Sequence, residues 1–190
     1  MRLIAVLLLV ASPAIAESWE SLRDRKPELF DDKTGYRMER YRAPIPDDIP
    51  PPARPVSPEE AMDAIAGGAL AIDVFGLRNS RFDELDGAWV VTERHESIPG
   101  AHWLPEVGRG PIRPEIADYL AASLTRLTKG DRTFPLVVFC RADCWMSWNA
   151  ARRIAALGYE NVLWLPLGVE GWEEAGGTLA PIEPEPVPID

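Results

Sequence analysis

The run Leu136-Val137-Val138-Phe139 leads straight into Cys140, and four residues later Cys144 opens the stretch Trp145-Met146-Ser147-Trp148-Asn149-Ala150-Ala151. An unbroken apolar run this short, stopped by the polar Arg141-Ala142-Asp143, reads as a buried strand. Beyond the second cysteine the chain reads as a helix over roughly 146–157, ended by Gly158. These are the only two cysteines among 190 residues. A thiol at the end of a buried strand, facing the first turn of a helix, lies among unpaired N–H groups that favour its anion. The segment therefore constrains both the architecture, strand–loop–helix, and the chemistry, nucleophilic sulfur.

The same alternation extends along the chain. Ser57, Pro58 and Glu60 spell a helix start with a capping box, and Gly67-Gly68 end that helix. Leu70 to Val74 reads as a short buried strand. Phe75 to Ser97 is a long insertion in which Trp89-Val90-Val91 suggests an added strand. Ile98-Pro99-Gly100-Ala101 turns the chain into Trp103-Leu104. Pro114 starts a helix whose Ile116, Leu120, Leu124 and Leu127 share one face. Val162 to Leu165 is a further strand and Val169 to Ala175 a short helix. Strands alternating with helices imply an α/β fold with a mostly parallel sheet. Flanking this core, residues 17–56 read as an irregular, proline-rich extension, with seven prolines between Ala43 and Pro58. Residues 179–190 form a proline-rich tail, leaving 57–178 as the folded domain.

Residues 1–16 have the pattern of an export signal: Arg2, the apolar run Leu3 to Val10, then Ala14-Ile15-Ala16 before Glu17. Cleavage after Ala16 and a periplasmic destination are expected, with no membrane attachment after cleavage. A formal charge of −10 excludes a nucleic-acid or anionic-lipid surface as the main partner. In an oxidising compartment a Cys140–Cys144 disulfide is expected. It would close a very small ring, so its value is redox rather than global stability.

The order of these motifs resembles the rhodanese-like domain. Ile72-Asp73-Val74, Ile98-Pro99-Gly100-Ala101, the strand–Cys140–loop–helix and Leu167-Gly168-Val169-Glu170-Gly171-Trp172 carry the likeness. A narrower likeness, on Tyr41 to Pro46, Ile98 to Leu104 and Cys144 to Ala151, is to the PQQ-dependent catabolism-associated CXXCW motif proteins; three residues separate the cysteines here, where that shorthand has two. The resemblance implies a three-layer rhodanese-like fold with helices flanking the central sheet. It also implies a periplasmic setting near pyrroloquinoline-quinone (PQQ) alcohol oxidation, with a PQQ-dependent alcohol dehydrogenase or its accessory proteins as partners. Carried over by position, Cys140 is the nucleophile, and Arg141, Ala142, Asp143, Cys144, Trp145 and Met146 form an anion cradle with Ser147 opening the helix. The loop looks one residue longer than the usual sulfurtransferase loop, and two further features count against thiosulfate or phosphate as ligand. Met146 stands where sulfurtransferases place an arginine, and Asp143 puts a negative charge in the cradle. Ser97 stands where many relatives have a histidine before Ile-Pro-Gly.

Three readings of the cysteine pair stay open at this point. In the first, Cys140 attacks and Cys144 resolves, with a small sulfur compound or a protein thiol as partner and a persulfide or disulfide as intermediate. In the second, Cys140, Cys144 and Met146 hold Cu(I), with His95 or His102 adding an imidazole; no other metal set is expected. In the third, the fold is a binding scaffold. Seven tryptophans, among them Trp103, Trp145, Trp148, Trp164 and Trp172, either fill the core or wall a pocket for a flat quinone such as PQQ. Asp73 is expected to brace a neighbouring loop by hydrogen bonds.

Overall fold

The computed structural model describes residues 17–38, 44–76, 81–83 and 88–187. The export signal and Tyr41-Arg42-Ala43 lie outside these residues. In chain order the elements are α1 (Trp19–Arg25), a 3-10 turn (Pro27–Leu29), β1 (Arg54–Pro55), α2 (Pro58–Ala66), β2 (Leu70–Asp73), β3 (Arg81–Asp83) and β4 (Ala88–Val90). They continue with β5 (His95–Ser97), β6 (His102–Trp103), α3 (Pro114–Thr128), β7 (Leu136–Phe139), α4 (Trp145–Ala156), β8 (Val162–Leu165), α5 (Gly168–Glu174) and β9 (Ala180–Ile182).

Five strands form a parallel sheet in the order β1-β8-β7-β2-β6. The interior strand β7 aligns Val138 with Ile72 on one side and Trp164 on the other. Successive side chains leave opposite faces of a strand, so β7 feeds two cores. Leu136, Val138 and Cys140 join Ile72 and Trp164 in the core that α3 and α4 cover. Val137 and Phe139 join Ala71, Leu163 and Leu165 in the one beneath α2 and α5. The result is the expected three-layer α/β architecture.

Local signals act at their own positions in the chain. Ser57 Oγ accepts from Glu60 N–H while the Glu60 carboxylate accepts from Ser57 N–H, closing the capping box of α2; such a cap contributes about 1 kcal/mol. Ile116, Leu120 and Leu124 of α3 are buried, and Leu127 is half-buried at the end of the stripe. The added strand exists as β4, paired antiparallel with β3.

The extensions depart from the expectation of irregular chain. Ser18 caps α1 by accepting from Ser21 N–H, and Leu22 on that helix is fully buried. Two turns are too short to display an apolar stripe, so periodicity does not reveal them. The proline-rich arm supplies β1 to the edge of the central sheet, where a residue without an N–H is tolerated. The tail supplies β9, paired antiparallel with β5. Glu185 then pins it, meeting His102 with one carboxylate oxygen and Arg126 with the other.

Those contacts make tail docking pH-dependent. The hydrogen bond with His102, aided by Arg126 and working against partial burial, holds the Glu185 carboxyl below its ordinary 4.5. A depressed folded-state pKa gives stability that is complete above pH 4.5 and lost as pH falls through the lower folded value. Amide exchange in β9 is therefore expected to speed up below pH 4.5 relative to β7. Glu185→Gln should abolish that acid-dependent difference. Equal acid dependence in parent and variant would refute the assignment.

Candidate functional site

Strand β7 delivers Cys140 to the carboxyl edge of the sheet, and α4 begins five residues later. Between them Arg141-Ala142-Asp143 curls back, with Cys144 N–H donating to Arg141 C=O (3.2 Å). Asp143 takes the left-handed conformation (φ 56°), which a short polar side chain tolerates better than most. The curl brings the Cα atoms of Cys140 and Cys144 to 6.1 Å, and their sulfurs are joined as a disulfide. Cys144 is itself the N-cap of α4, with no side chain capping the first turn. A thiolate at Cys144, once the bond opens, faces the free amides and positive dipole end of a three-turn helix.

The sulfurs are not displayed at an open mouth in this oxidised form. Cys140 is 1% exposed and Cys144 fully buried, whereas Arg141 and Asp143 are exposed. The anion cradle expected around Cys140 is closed over in this oxidised form. An incoming sulfur therefore reaches the bond only when the residues around it move.

Helix α5 holds that loop from outside. Gly168 packs on the loop backbone so closely that a Cβ there would lie 2.3 Å from Cys140 O, and Val169 N–H donates to the same oxygen (3.0 Å). Directly after Val169, the two oxygens of Glu170 accept from Arg141 Nε and from Ala142 N–H, each at 2.8 Å. Partial burial pushes the Glu170 carboxyl up, but the hydrogen bonds from Ala142 and Arg141 and the Arg141 charge outweigh this and hold it below the ordinary value. In the sequence, Glu170 is merely one member of the Leu167–Trp172 motif. Its role is visible only through a contact spanning 28 residues.

The inner wall comes from Trp145, Met146 and Ser147, all buried. Ser147 Oγ donates to Cys144 C=O and accepts from the Trp164 indole N–H (3.1 and 3.0 Å), so it anchors the helix start from beneath. Met146 packs against Gly108 and Gly76. A Cβ on Gly76 would lie 3.2 Å from Met146 Sδ and 3.4 Å from an Arg109 guanidinium nitrogen. The cation that Met146 does not supply thus stands close by on another loop, paired with Glu106. Arg109 and Glu106 also line a cavity of about 370 Å³ with Arg81, Phe82, Trp89 and Arg113.

Asp73 braces the neighbouring loop as expected. Its fully buried carboxylate accepts from Phe75 N–H (2.9 Å) and Ser97 Oγ (2.6 Å) and pairs with His95 Nε2 (2.8 Å). The imidazole that resemblance placed at position 97 arrives instead from His95, on the same strand and face two residues earlier. Phe75 stacks on its ring and Trp103 lies tilted against it.

Both sulfurs are bonded to each other, His95 is held by Asp73 and His102 by Glu185. Among the described residues, no group of three or more His, Cys, Asp or Glu side chains is arranged to hold a metal ion. The tryptophans mainly build the core: Trp103, Trp148 and Trp164 are fully buried and donate to Phe75 O, Asp48 O and Ser147 Oγ. No helix among the described residues is long and apolar enough to cross a membrane.

The family model for the rhodanese-like domain matches residues 57–175. Among solved structures, thiosulfate sulfurtransferase from Pseudomonas aeruginosa is similar at 22% identity and a TM-score of 0.43, over 66% of this chain and 20% of that one. The Alr3790 protein from Anabaena sp. is similar at 18% identity and a TM-score of 0.45, over 67% of this chain and 92% of that one. An uncharacterized protein from Saccharomyces cerevisiae is similar at 17% identity and a TM-score of 0.40, over 64% and 92%. The chain thus spans a fifth of the Pseudomonas enzyme's length. No curated protein matches the sequence.

Proposed function

Since the chain belongs to the rhodanese-like domain family, for which thiol and sulfur-transfer chemistry is the family-level expectation, we propose that it carries out dithiol–disulfide exchange through Cys140 and Cys144. The observation that carries this reading is the disulfide between a strand-end cysteine and the N-cap cysteine of the next helix. An incoming thiolate attacks Cys140 Sγ, forming a mixed disulfide and expelling Cys144 as thiolate. The α4 N-terminus stabilises that leaving group, and a better-stabilised thiolate leaves faster. A second thiol of the partner then resolves the mixed disulfide, so the partner's two thiols are oxidised to a disulfide and the cysteine pair is reduced. In the opposite direction Cys140 attacks a partner disulfide and Cys144 resolves.

Family membership supports a second reading on the same two sulfurs. The reduced Cys140 takes a sulfane sulfur from a donor as a persulfide. Attack by Cys144 on the Cys140 sulfur then releases hydrosulfide and restores the disulfide. For setting, we propose the periplasm, near PQQ-dependent alcohol oxidation, on the strength of the leader pattern and the CXXCW resemblance.

The test is titration of the purified full chain in thiol–disulfide redox buffers, read by alkylation and mass spectrometry. The parent should interconvert reversibly between a form carrying two alkyl groups and one carrying none. Cys140→Ser and Cys144→Ser should each lose the interconversion entirely. A disulfide that no thiol reduces without unfolding would overturn the proposal. Persulfide on Cys140 after incubation of the reduced protein with a sulfane donor would identify the second reading.

A further inference from the structure

The cup has two donors at its outer rim, the Ala142 N–H and the Arg141 guanidinium, placed as a two-point receptor for a carboxylate or other oxyanion. Both are engaged by the two oxygens of Glu170. The carboxylate is set there by backbone rather than by side-chain choice alone. Gly168 and Val169 lock the start of α5 onto Cys140 C=O, and Glu170 comes directly after them. Asp143, exposed at the tip of the same loop, adds a second negative charge.

We infer that Glu170 is a specificity-determining residue: an internal carboxylate that fills the oxyanion receptor and turns the Cys140–Cys144 pair toward neutral and cationic thiols and away from anionic sulfur compounds. This rests on the exchange reading of the cysteine pair. Glu170 occupies the Arg141 Nε–H and the Ala142 N–H together, so an external anion that takes this two-point seat must displace it. With Arg141 paired to Glu170, the rim that an incoming thiol meets carries the negative charge of exposed Asp143, for which no salt-bridge partner stands among the described residues. A rhodanese-like loop with no such internal ligand would present the reverse, a vacant cation and a free N–H. The expected substrate class is therefore a thiol whose flanking groups are uncharged or basic, such as a cysteine in a lysine- or arginine-bearing segment of a protein.

The inference is tested by the rates at which three small thiols open the disulfide in the full chain. They are 2-mercaptoethanol (neutral), 2-mercaptoethanesulfonate (anionic) and cysteamine (cationic), each rate normalised to thiolate concentration at low ionic strength. The parent should react in the order cationic, neutral, anionic. In Glu170→Gln, which keeps the shape, the anionic-to-neutral rate ratio should rise about tenfold, and added salt should shrink the difference. Arg141→Gln, at an exposed position, should move the ratio in the opposite direction and provides the reading if Glu170→Gln folds poorly. Glu170 also tethers the loop, and loss of a tether alone would speed all three thiols equally. Equal acceleration, or an unchanged ratio in both variants, would overturn the inference while leaving the exchange reading intact. Failure of every thiol to open the parent disulfide would instead remove the exchange reading, and this one with it.

Discussion

Replacing Gly168 by alanine is expected to destabilise the protein by about 3 kcal/mol and to unseat the cysteine loop. Two effects combine. Gly168 has φ 54°, a conformation that costs an L-residue with a Cβ about 1 kcal/mol. The added Cβ would also lie 2.3 Å from Cys140 O, 2.6 Å from Arg141 C and 2.8 Å from Arg141 Cα. These are backbone atoms at the junction of β7 and the loop, and they cannot rotate away as a side-chain tip can. Either α5 shifts outward, withdrawing Glu170 from Ala142 and Arg141, or the loop distorts around the disulfide. Gly100→Ala is the control. Gly100 also has a positive φ (79°), but nothing lies within 4 Å of its Cβ position, so that variant should lose only about 1 kcal/mol. Urea denaturation of the two variants separates strain from collision. Equal losses in the two would show that the close approach of α5 to the loop has no energetic weight.

Asn149→Leu should cost a similar amount or more, about 4 kcal/mol, although leucine has the same number and branching of heavy atoms as asparagine. Asn149 is fully buried on α4, and its amide is satisfied from three directions. Oδ1 accepts from Arg37 N–H (2.8 Å), while Nδ2 donates to Arg37 C=O (2.9 Å) and Gly108 C=O (3.0 Å). Leucine removes all three bonds and leaves three backbone groups in the interior, each costing about 1–3 kcal/mol. The two bonds to Arg37 tie the N-terminal segment to the cysteine helix, so the loss should be directional. Limited proteolysis is expected to release 17–38 from the variant before any cut in the central sheet. A variant whose unfolding midpoint matches the parent, or whose N-terminal segment stays equally protected, would refute this role for Asn149.

The parts of the molecule legible from sequence are those governed by short-range rules. Strand β7 announces itself because four consecutive apolar residues flank a polar turn. Helix α2 does so through Ser57, Pro58 and Glu60, and α3 through a stripe of matching period. The cysteine pair is legible for the same reason: four residues of separation allow one curl to bring the sulfurs together. Helix α1 and strands β1 and β9 are not legible, because each is too short for a period and owes its shape to the surface it lies on. Arg109 beside Met146, and His95 in place of a histidine at position 97, belong to this second group. In both, a side chain of the type missing at the familiar position stands nearby on another part of the chain.

The amino-acid order alone settled the layered α/β plan and the pairing of the two cysteines, since periodicity, capping and close spacing act within one or two turns of chain. Tertiary structure decided the state and surroundings of those sulfurs. Closure over the disulfide, the seat of Glu170 on the loop and the Asn149 knot all depend on segments 28 to 112 residues apart meeting at hydrogen-bond distance. No local rule encodes such meetings. They arise when both faces of the sheet are buried at once and α5 and the N-terminal arm come to rest against what β7 and α4 have already built.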